Sequence, residues 1–304
     1  MKITSVVIIY NAKLNESDTL KSILECHLES VELNICIWNN GPTLLDEKDI
    51  SHFLLVCQEK KVSVEIYQDI RNLALSKIYN FFIKKNNFDL ISILDQDSIL
   101  PKEFLSNLSH YDDADILIPK IVTEIESNPI QIYPHEDGSK KIISEGKVKN
   151  KINSAMSGVT ISQKFIKKII KFRGAPFEER LAFYGIDSDL FREIGLMIDK
   201  GISINMYCKS QIIHSFSNFD PKEKNNKFRD MEIFYFKYFI RLKYQKKSVF
   251  STLLILIKDL IRFKNSFLKT KNLVEFTLTG THPRSKIDIL DNFKSTHTQY
   301  RINS

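Results

Sequence analysis

Apolar positions in the first hundred residues follow two alternating periods. Residues 3–10 are a nearly unbroken apolar run, Ile3 to Tyr10, the pattern of a strand covered on both faces. Over 18–28, Leu20, Ile23 and Leu24 recur at helical spacing, with Asp18 as the candidate cap. Runs at 34–38, 62–67 and 90–94 predict three more strands, and Leu75, Ile78, Tyr79 and Phe82 mark an amphipathic helix before the last. Alternation of this kind predicts an α/β domain with a largely parallel sheet. The strand ends carry Tyr10-Asn11, Asn39-Asn40-Gly41, residues 68–72, and Asp95-Gln96-Asp97-Ser98. All four are polar, and such a sheet brings them to the carboxyl edge, where ligands collect.

Beyond Pro101 the pattern changes. Strands are predicted at 116–122, 130–133 and 155–161, with strand-like pieces at 202–207 and 211–214. Helices are predicted at 163–171, 188–194, 227–244 and 248–270, and residues 137–151 read as a polar, lysine-rich loop. No internal repeat is visible.

Composition narrows the class. A chain of 304 residues that is 43% hydrophobic buries a sizeable core, and only 9 glycines and 8 prolines exclude a fibrous or low-complexity protein. Cys26, Cys36, Cys57 and Cys208 show no C-x-x-C spacing, which points away from zinc or a disulfide framework and toward a reducing compartment. The N-terminal apolar run is short and lacks a small-residue cleavage site, so the expected location is cytoplasmic. Net charge is +7, unevenly placed: residues 222–271 hold fourteen Lys/Arg against four acids, leaving about −3 on the rest.

Chemistry concentrates at Asp95-Gln96-Asp97, directly after the apolar run 90–94. Two carboxylates two residues apart in a turn suit a hard divalent cation, which takes one or two protein carboxylates and completes its sphere with phosphates. The same tripeptide also occurs as a plain solvated turn.

The ordered set of motifs decides between these. Ile37-Trp38-Asn39-Asn40-Gly41-Pro42, then Asn72-Leu73-Ala74-Leu75-Ser76-Lys77-Ile78-Tyr79-Asn80, then Asp95-Gln96-Asp97-Ser98 resembles family 2 of the inverting glycosyltransferases, in its bacterial rhamnosyltransferase-like branch. That branch shows I-Y-D-N-S-P, N-x-G-x-[AS]-x-x-x-N and D-Q-D-[ST]; the similarity spans roughly residues 3 to 217. It implies a GT-A fold, a Rossmann-like mostly parallel sheet flanked by helices, and a nucleotide-diphosphate sugar donor. By the resemblance, Asp95 lies near ribose and metal, Asp97 coordinates Mg or Mn, Tyr10, Asn11 and Asn39 flank the base, and Asn72 and Gln96 help form the donor pocket. Two departures stand out. Asn39 replaces the family's Asp, although an amide still accepts a hydrogen bond, and Ala74 replaces a Gly, which narrows the room for close backbone approach.

Phe183-Tyr184-Gly185-Ile186-Asp187-Ser188-Asp189 is similar to the family's acidic motif ahead of a helix, where one Asp takes the acceptor proton. Asp187 fits that role and Asp189 is the reserve; by local pattern alone Asp187 equally fits a helix cap. Arg192 then corresponds to the family's downstream Arg, one residue short in spacing. His214, ending 211–214, resembles the family's late His and is expected to complete the metal or diphosphate site. Gly158 in 154–160 serves either close substrate approach or sheet packing.

The expected organisation is a GT-A catalytic domain over 1–220, with a nucleotide-binding half (1–100) and an acceptor half (101–220), followed by a basic amphipathic helical region over 221–304. There Val249, Phe250, Leu253, Leu254, Leu256, Ile257, Leu260, Ile261 and Phe263 form an apolar face with Lys246, Lys247, Lys258, Arg262 and Lys264 around it. That face docks on a membrane surface, on the catalytic domain or on a second subunit. The expected activity is an inverting, metal-dependent hexosyltransferase. It would use a UDP- or dTDP-sugar, such as rhamnose, on a saccharide or lipid-linked saccharide acceptor in bacterial surface polysaccharide synthesis. A degenerate nucleotide-sugar-binding homologue is the non-enzyme alternative. A sugar nucleotidyltransferase or dehydrogenase would need a glycine-rich loop after the first strand, and residues 10–14 have none. No nucleic-acid-binding motif is present.

Overall fold

Each of the first four apolar runs forms a strand: β1 (Lys2–Ile9), β2 (Glu32–Asn39), β3 (Ser63–Gln68) and β4 (Leu90–Asp95). They are mutually parallel, and α1 (Asp18–Ile23), α2 (Glu47–Glu59) and α3 (Leu75–Lys85) make the crossovers. The computed structural model describes residues 1–125, 128–215, 227–262, 266–289 and 299–302. Helix α1 is shorter than its apolar spacing predicts. Its cap is Ser17, whose side chain accepts from the Leu20 amide, rather than Asp18.

The second half adds β5 (Ser98–Ile99), α4 (Phe104–Leu108), β6 (Ile116–Ile125), β7 (Asn128–Tyr133), β8 (His135–Glu136), β9 (Gly146–Val148), β10 (Ile152–Asn153) and β11 (Thr160–Ser162). Then come α5 (Gln163–Arg173), α6 (Ile186–Asp199), β12 (Met206–His214), α7 (Lys227–Lys243), α8 (Val249–Ile261), α9 (Phe267–Thr279) and β13 (Gln299–Ile302). Among the described residues, eleven strands share one sheet, ordered β13-β3-β2-β1-β4-β11-β6-β12-β5, with β7 on β6 and β9 on β12. β11 runs antiparallel between β4 and β6, β12 is parallel to β6, and β13 adds an antiparallel edge to β3.

Side chains alternate across the sheet with period two, so each face carries its own core. Val6, Ile8, Cys36 and Trp38 join a cluster with α3, α5 and α6 that extends to Tyr235, Leu256, Leu273 and Phe276 of the last three helices. Ile3, Val7, Ile9 and Ile35 join the other, against Leu20, Ile50, Phe53 and Leu105.

Four details differ from the pattern-based expectation. Residues 154–159 turn rather than extend, and Gly158 has φ +79°. A Cβ there would lie 2.6 Å from Pro119 Cγ, so the glycine serves packing. The pieces at 202–207 and 211–214 become one strand, β12, whose register shifts between Cys208 and Gln211, with Ser210 at φ +67°. The long helix expected over 248–270 is two helices, because Ser266 caps α9 through the Lys269 amide. Finally, β13 is a strand where only helices were expected.

Candidate active site

Register sets the site. Ile9 pairs with Asn39, Ile8 with Asp95, and Asn39 with Gln68, so the strands end level at one edge. Over that edge opens a pocket of about 490 Å³. Its floor is Tyr10, Asn40, Asn72, Asp95, Gln96 and Asp97; Phe183, His214, Phe228 and Arg284 form the sides.

β12 returns antiparallel to β5, pairing His214 with Ser98. This places the buried imidazole between the two carboxylates: Nδ1 is 3.3 Å from Asp97 Oδ1, and Nε2 is 3.7 Å from Asp95 Oδ2. Ser98 Oγ lies 3.0 Å from His214 Nδ1 and 2.7 Å from Ser157 Oγ. The Asp95 amide donates to Ser157 Oγ at 3.2 Å, and Ser215 hydroxyl donates to Asp97. Burial pushes the Asp95 carboxyl up; Asp97 adds to this and His214 opposes it. Among the described residues, no three His, Cys, Asp or Glu side chains could by themselves hold a metal ion. Asp95, Asp97 and His214 all line the pocket, and the two carboxylates are its hard oxygen donors. That set fits Mg²⁺ or Mn²⁺ only when ligand phosphates supply the remaining oxygens.

The other strand ends divide into pocket-lining and bracing residues. Gln96 is a staple: the Tyr10 amide donates to its Oε1 at 2.8 Å, and its Nε2 donates back to the Tyr10 carbonyl at 3.2 Å. Asn40 clamps the neighbouring loop, accepting from the Leu73 amide at 2.9 Å and donating to the Leu73 carbonyl at 3.0 Å. Asn72, at φ +54°, lines the pocket. Asn39 does not. It is buried with its oxygen on the Gly41 amide at 3.1 Å and its nitrogen on Thr43 O at 2.8 Å, so both ends of the amide close the turn. Asn11, at φ +51°, is exposed; its amide donates to Gly41 O, and its side chain is not among the pocket's lining groups.

Asp187 and Asp189 sit two residues apart and meet different environments. The loop before α6 is pinned by Asn80, which holds Phe177 through N and O, and by the Leu75 amide on Ala182 O. Gly185 caps α6 at φ +84°, and a Cβ there would lie 2.0 Å from the Phe236 ring, so neither acid is the cap. Asp187 is half-buried, and burial pushes its carboxyl up to about 6, with the charge of Asp95 contributing. The Tyr79 hydroxyl is pushed up by burial and by both Asp95 and Asp187, which puts all three in mutual electrostatic reach. Asp189 is fully buried and bonded to Arg173 Nη1 (2.5 Å), Lys243 Nζ (2.8 Å) and the Tyr244 hydroxyl (2.6 Å). Arg192 stacks its guanidinium over Tyr244, 5.7 Å from the ring centre.

The sequence reading missed Arg284 and Phe228. Arg284 donates to Asn72 Oδ1 at 2.7 Å and to Glu232 at 2.8 Å, and its guanidinium lies 5.2 Å from the Phe228 ring centre. Burial works to raise the Glu232 carboxyl, but contacts with His282 and Arg284 outweigh it and hold the acid below its usual range. No local pattern could have found Arg284, since its pocket partner Asn72 is 212 residues away.

This arrangement of a mostly parallel sheet with helices on both faces is similar to that of solved glycosyltransferase structures. The structure of TarS from S. aureus, residues 1–349, is similar at a TM-score of 0.52 and 16% identity, covering 80% of this chain and 66% of that one. The same fragment in complex with UDP-GlcNAc gives a TM-score of 0.54 at 14% identity, and the full TarS structure gives 0.51 with 40% of its length covered. The chain thus spans about two thirds of the TarS fragment and 40% of the full TarS structure. No protein-family model matches the sequence. No curated protein matches it either.

Proposed function

We propose that the protein is an inverting glycosyltransferase that moves a sugar from a nucleotide-diphosphate donor to an acceptor hydroxyl. The observation that carries this reading is the meeting of Asp95, Asp97 and His214 in one pocket, with the raised carboxyl of Asp187 in electrostatic reach. The likeness to a fold also seen with UDP-GlcNAc bound supports a nucleotide-sugar donor.

In this reading Asp95 and Asp97 would hold Mg²⁺ or Mn²⁺, which when bound would supply positive charge at the diphosphate leaving group. Arg284 adds a second, fixed positive group to the pocket lining. His214 keeps the two carboxylates apart and oriented. Asn40, Asn72 and Tyr10 shape the donor side, while Asn39 and Gln96 brace the loops beneath them. Asp187 accepts the proton of the acceptor hydroxyl as its oxygen bonds to the anomeric carbon. The bond from that carbon to the diphosphate oxygen breaks on the opposite face, which inverts the centre. Asp189 holds α6 in place and takes no proton. A UDP- or dTDP-hexose donor, rhamnose among them, and a saccharide or lipid-linked saccharide acceptor complete the reading. The setting is surface polysaccharide assembly at the inner face of a bacterial cell membrane. The catalytic unit is taken as 1–220, although the last helices share its core and Arg284 enters its pocket.

Calorimetry with UDP, dTDP and GDP, with and without Mn²⁺, on wild type and Asp97→Ala tests this. One nucleotide should bind in a metal-dependent way and lose that binding in the variant. If none binds, or binding ignores both metal and Asp97, the reading is wrong. Metal-dependent binding with no hydrolysis or transfer of any sugar donor would leave a binding homologue without turnover.

A further inference from the structure

Helix α8 carries a stripe of four bare apolar side chains. Phe250, Leu254, Ile257 and Ile261 are between 49% and 70% exposed. Their spacing puts all four within about 60° of one another around the helix axis. The opposite face is already occupied: Leu256 is buried in the core, and Thr252 Oγ1 accepts from Arg241 Nε of α7 at 2.9 Å. The helix is therefore docked by one side, and the stripe is left over. Phe267 and Leu268 at the start of α9 are also apolar and 74% and 67% exposed. Among the described residues nothing covers the stripe; Phe263 and Lys264, expected in the same face, lie outside them. A contiguous apolar stripe of this size on a protein surface marks an interaction site.

Charge selects the occupant. Lys246 and Lys247 precede α8, Lys258 and Arg262 flank the stripe along one side, and Lys271 is exposed on α9. Asp259 is the one acid of α8. Residues 222–271 carry +10, against about −3 for the remainder. A second copy of the chain would set two such basic faces against each other, a like-charge juxtaposition. An anionic bilayer surface answers both features, since the stripe enters among the head groups while the cations lie at phosphate level. At 13 residues α8 is about 20 Å long, too short to cross a bilayer. No helix among the described residues is long and apolar enough to do so. We infer that α8 is a membrane-docking helix that lies in the surface of a bilayer containing anionic lipid, with Phe250, Leu254, Ile257 and Ile261 inserted. This rests on the face of α8 alone and stands apart from the transferase reading.

Flotation of the full chain with vesicles tests it, using phosphatidylcholine with or without phosphatidylglycerol. The wild type should float only with the anionic vesicles and release as salt rises. Leu254→Asp with Ile257→Asp should abolish flotation. Lys246→Gln, Lys247→Gln, Lys258→Gln and Arg262→Gln together should weaken it on the order of a thousandfold while leaving every apolar contact in place. Both variants should keep the wild-type circular dichroism and nucleotide binding, which separates lost docking from a lost fold or a failed donor site. If the paired Asp variant misfolds, the four-Gln variant decides alone. The inference is overturned if wild type ignores anionic vesicles, or if flotation survives the four-Gln variant. A wild-type dimer that the Asp variant dissolves, with no lipid binding, would assign the stripe to a second copy instead.

Discussion

Asp95 and Asp97 stand on backbone that the sheet itself fixes, whereas Arg284 and Phe228 reach the same pocket from helices held by side-chain contacts. The first wall is acidic and is placed by the parallel register of β1 and β4 and by the return of β12 beside β5. The second is basic and aromatic, placed by the buried ion cluster Glu232–His282–Arg284 and by Phe236 against Gly185. A ladder of backbone hydrogen bonds survives the loss of a side chain at its end. A wall built from side chains shifts when one is removed. The two walls should therefore fail differently, the first in chemistry and the second in binding and position.

The sharpest break is on the first wall. Asp97→Ala should cut turnover by about a thousandfold or more, while the melting temperature stays close to wild type. Turnover with paired donor and acceptor, beside a thermal melt, checks both. An unfolded variant would show that the acidic wall depends on its side chains after all.

Next in size is Asp187→Asn, with a loss of about a hundredfold to ten-thousandfold in kcat and unchanged donor affinity. The carboxyl must be unprotonated to take a proton, and burial holds it up to about 6. The wild-type rate should therefore rise as pH climbs through about 6 and fall below it. The Asn variant should lose that acid limb. A limb that persists in the variant would hand the titration to another group.

The first wall was legible in the sequence and the second was not, for a physical reason. A strand covered on both faces announces itself as an apolar run, and the polar residues just past it must lie at the sheet edge. Hence Asp95, Asp97 and Tyr10 could be placed by pattern. Choosing between Asn39 and Asn40 could not be done this way: both are buried, and only their partners separate them, Asn39 closing the turn on Gly41 and Thr43 while Asn40 holds Leu73 and lines the pocket. Asp187 and Asp189 were both legible as acids at a helix start, yet only packing separates them: one lies in electrostatic reach of Asp95, the other is bonded to Arg173 and Lys243. The break between α8 and α9 had a signal, Ser266, overlooked because apolar spacing continues across it. Arg284 had no signal, since its placement depends on Asn72 and Glu232, remote in sequence.

A third comparison uses the acid pair directly. Asp189→Asn removes the fully buried charge that bonds both Arg173 and Lys243, leaving Arg173 with Glu193 at 3.9 Å and Lys243 with Glu193 and Glu178. Loss of such a partner costs about 3 kcal/mol, read as a lower denaturation midpoint. Asp187→Asn should leave the midpoint at or above wild type, because its ionised form is disfavoured by burial. Equal destabilisation of the two variants would erase the division of roles between them.

The smallest expected effect tests the second wall. Arg284→Ala should raise the donor KM about tenfold, the scale of one lost hydrogen bond to a charged group, and leave kcat nearly unchanged. Arg284→Lys keeps the charge but not the fork that spans Asn72 and Glu232, so its KM should fall between the two. Glu232 complicates the Ala variant, since removing Arg284 leaves a buried carboxylate with His282 alone, and some loss of stability should accompany the binding defect. Pairing Arg284→Ala with Glu232→Gln removes that burden. If the pair restores stability but not affinity, Arg284 acts on the donor itself. If it restores both, Arg284 serves only to hold the wall, and the positive charge facing Asp95 and Asp97 comes from the divalent ion alone.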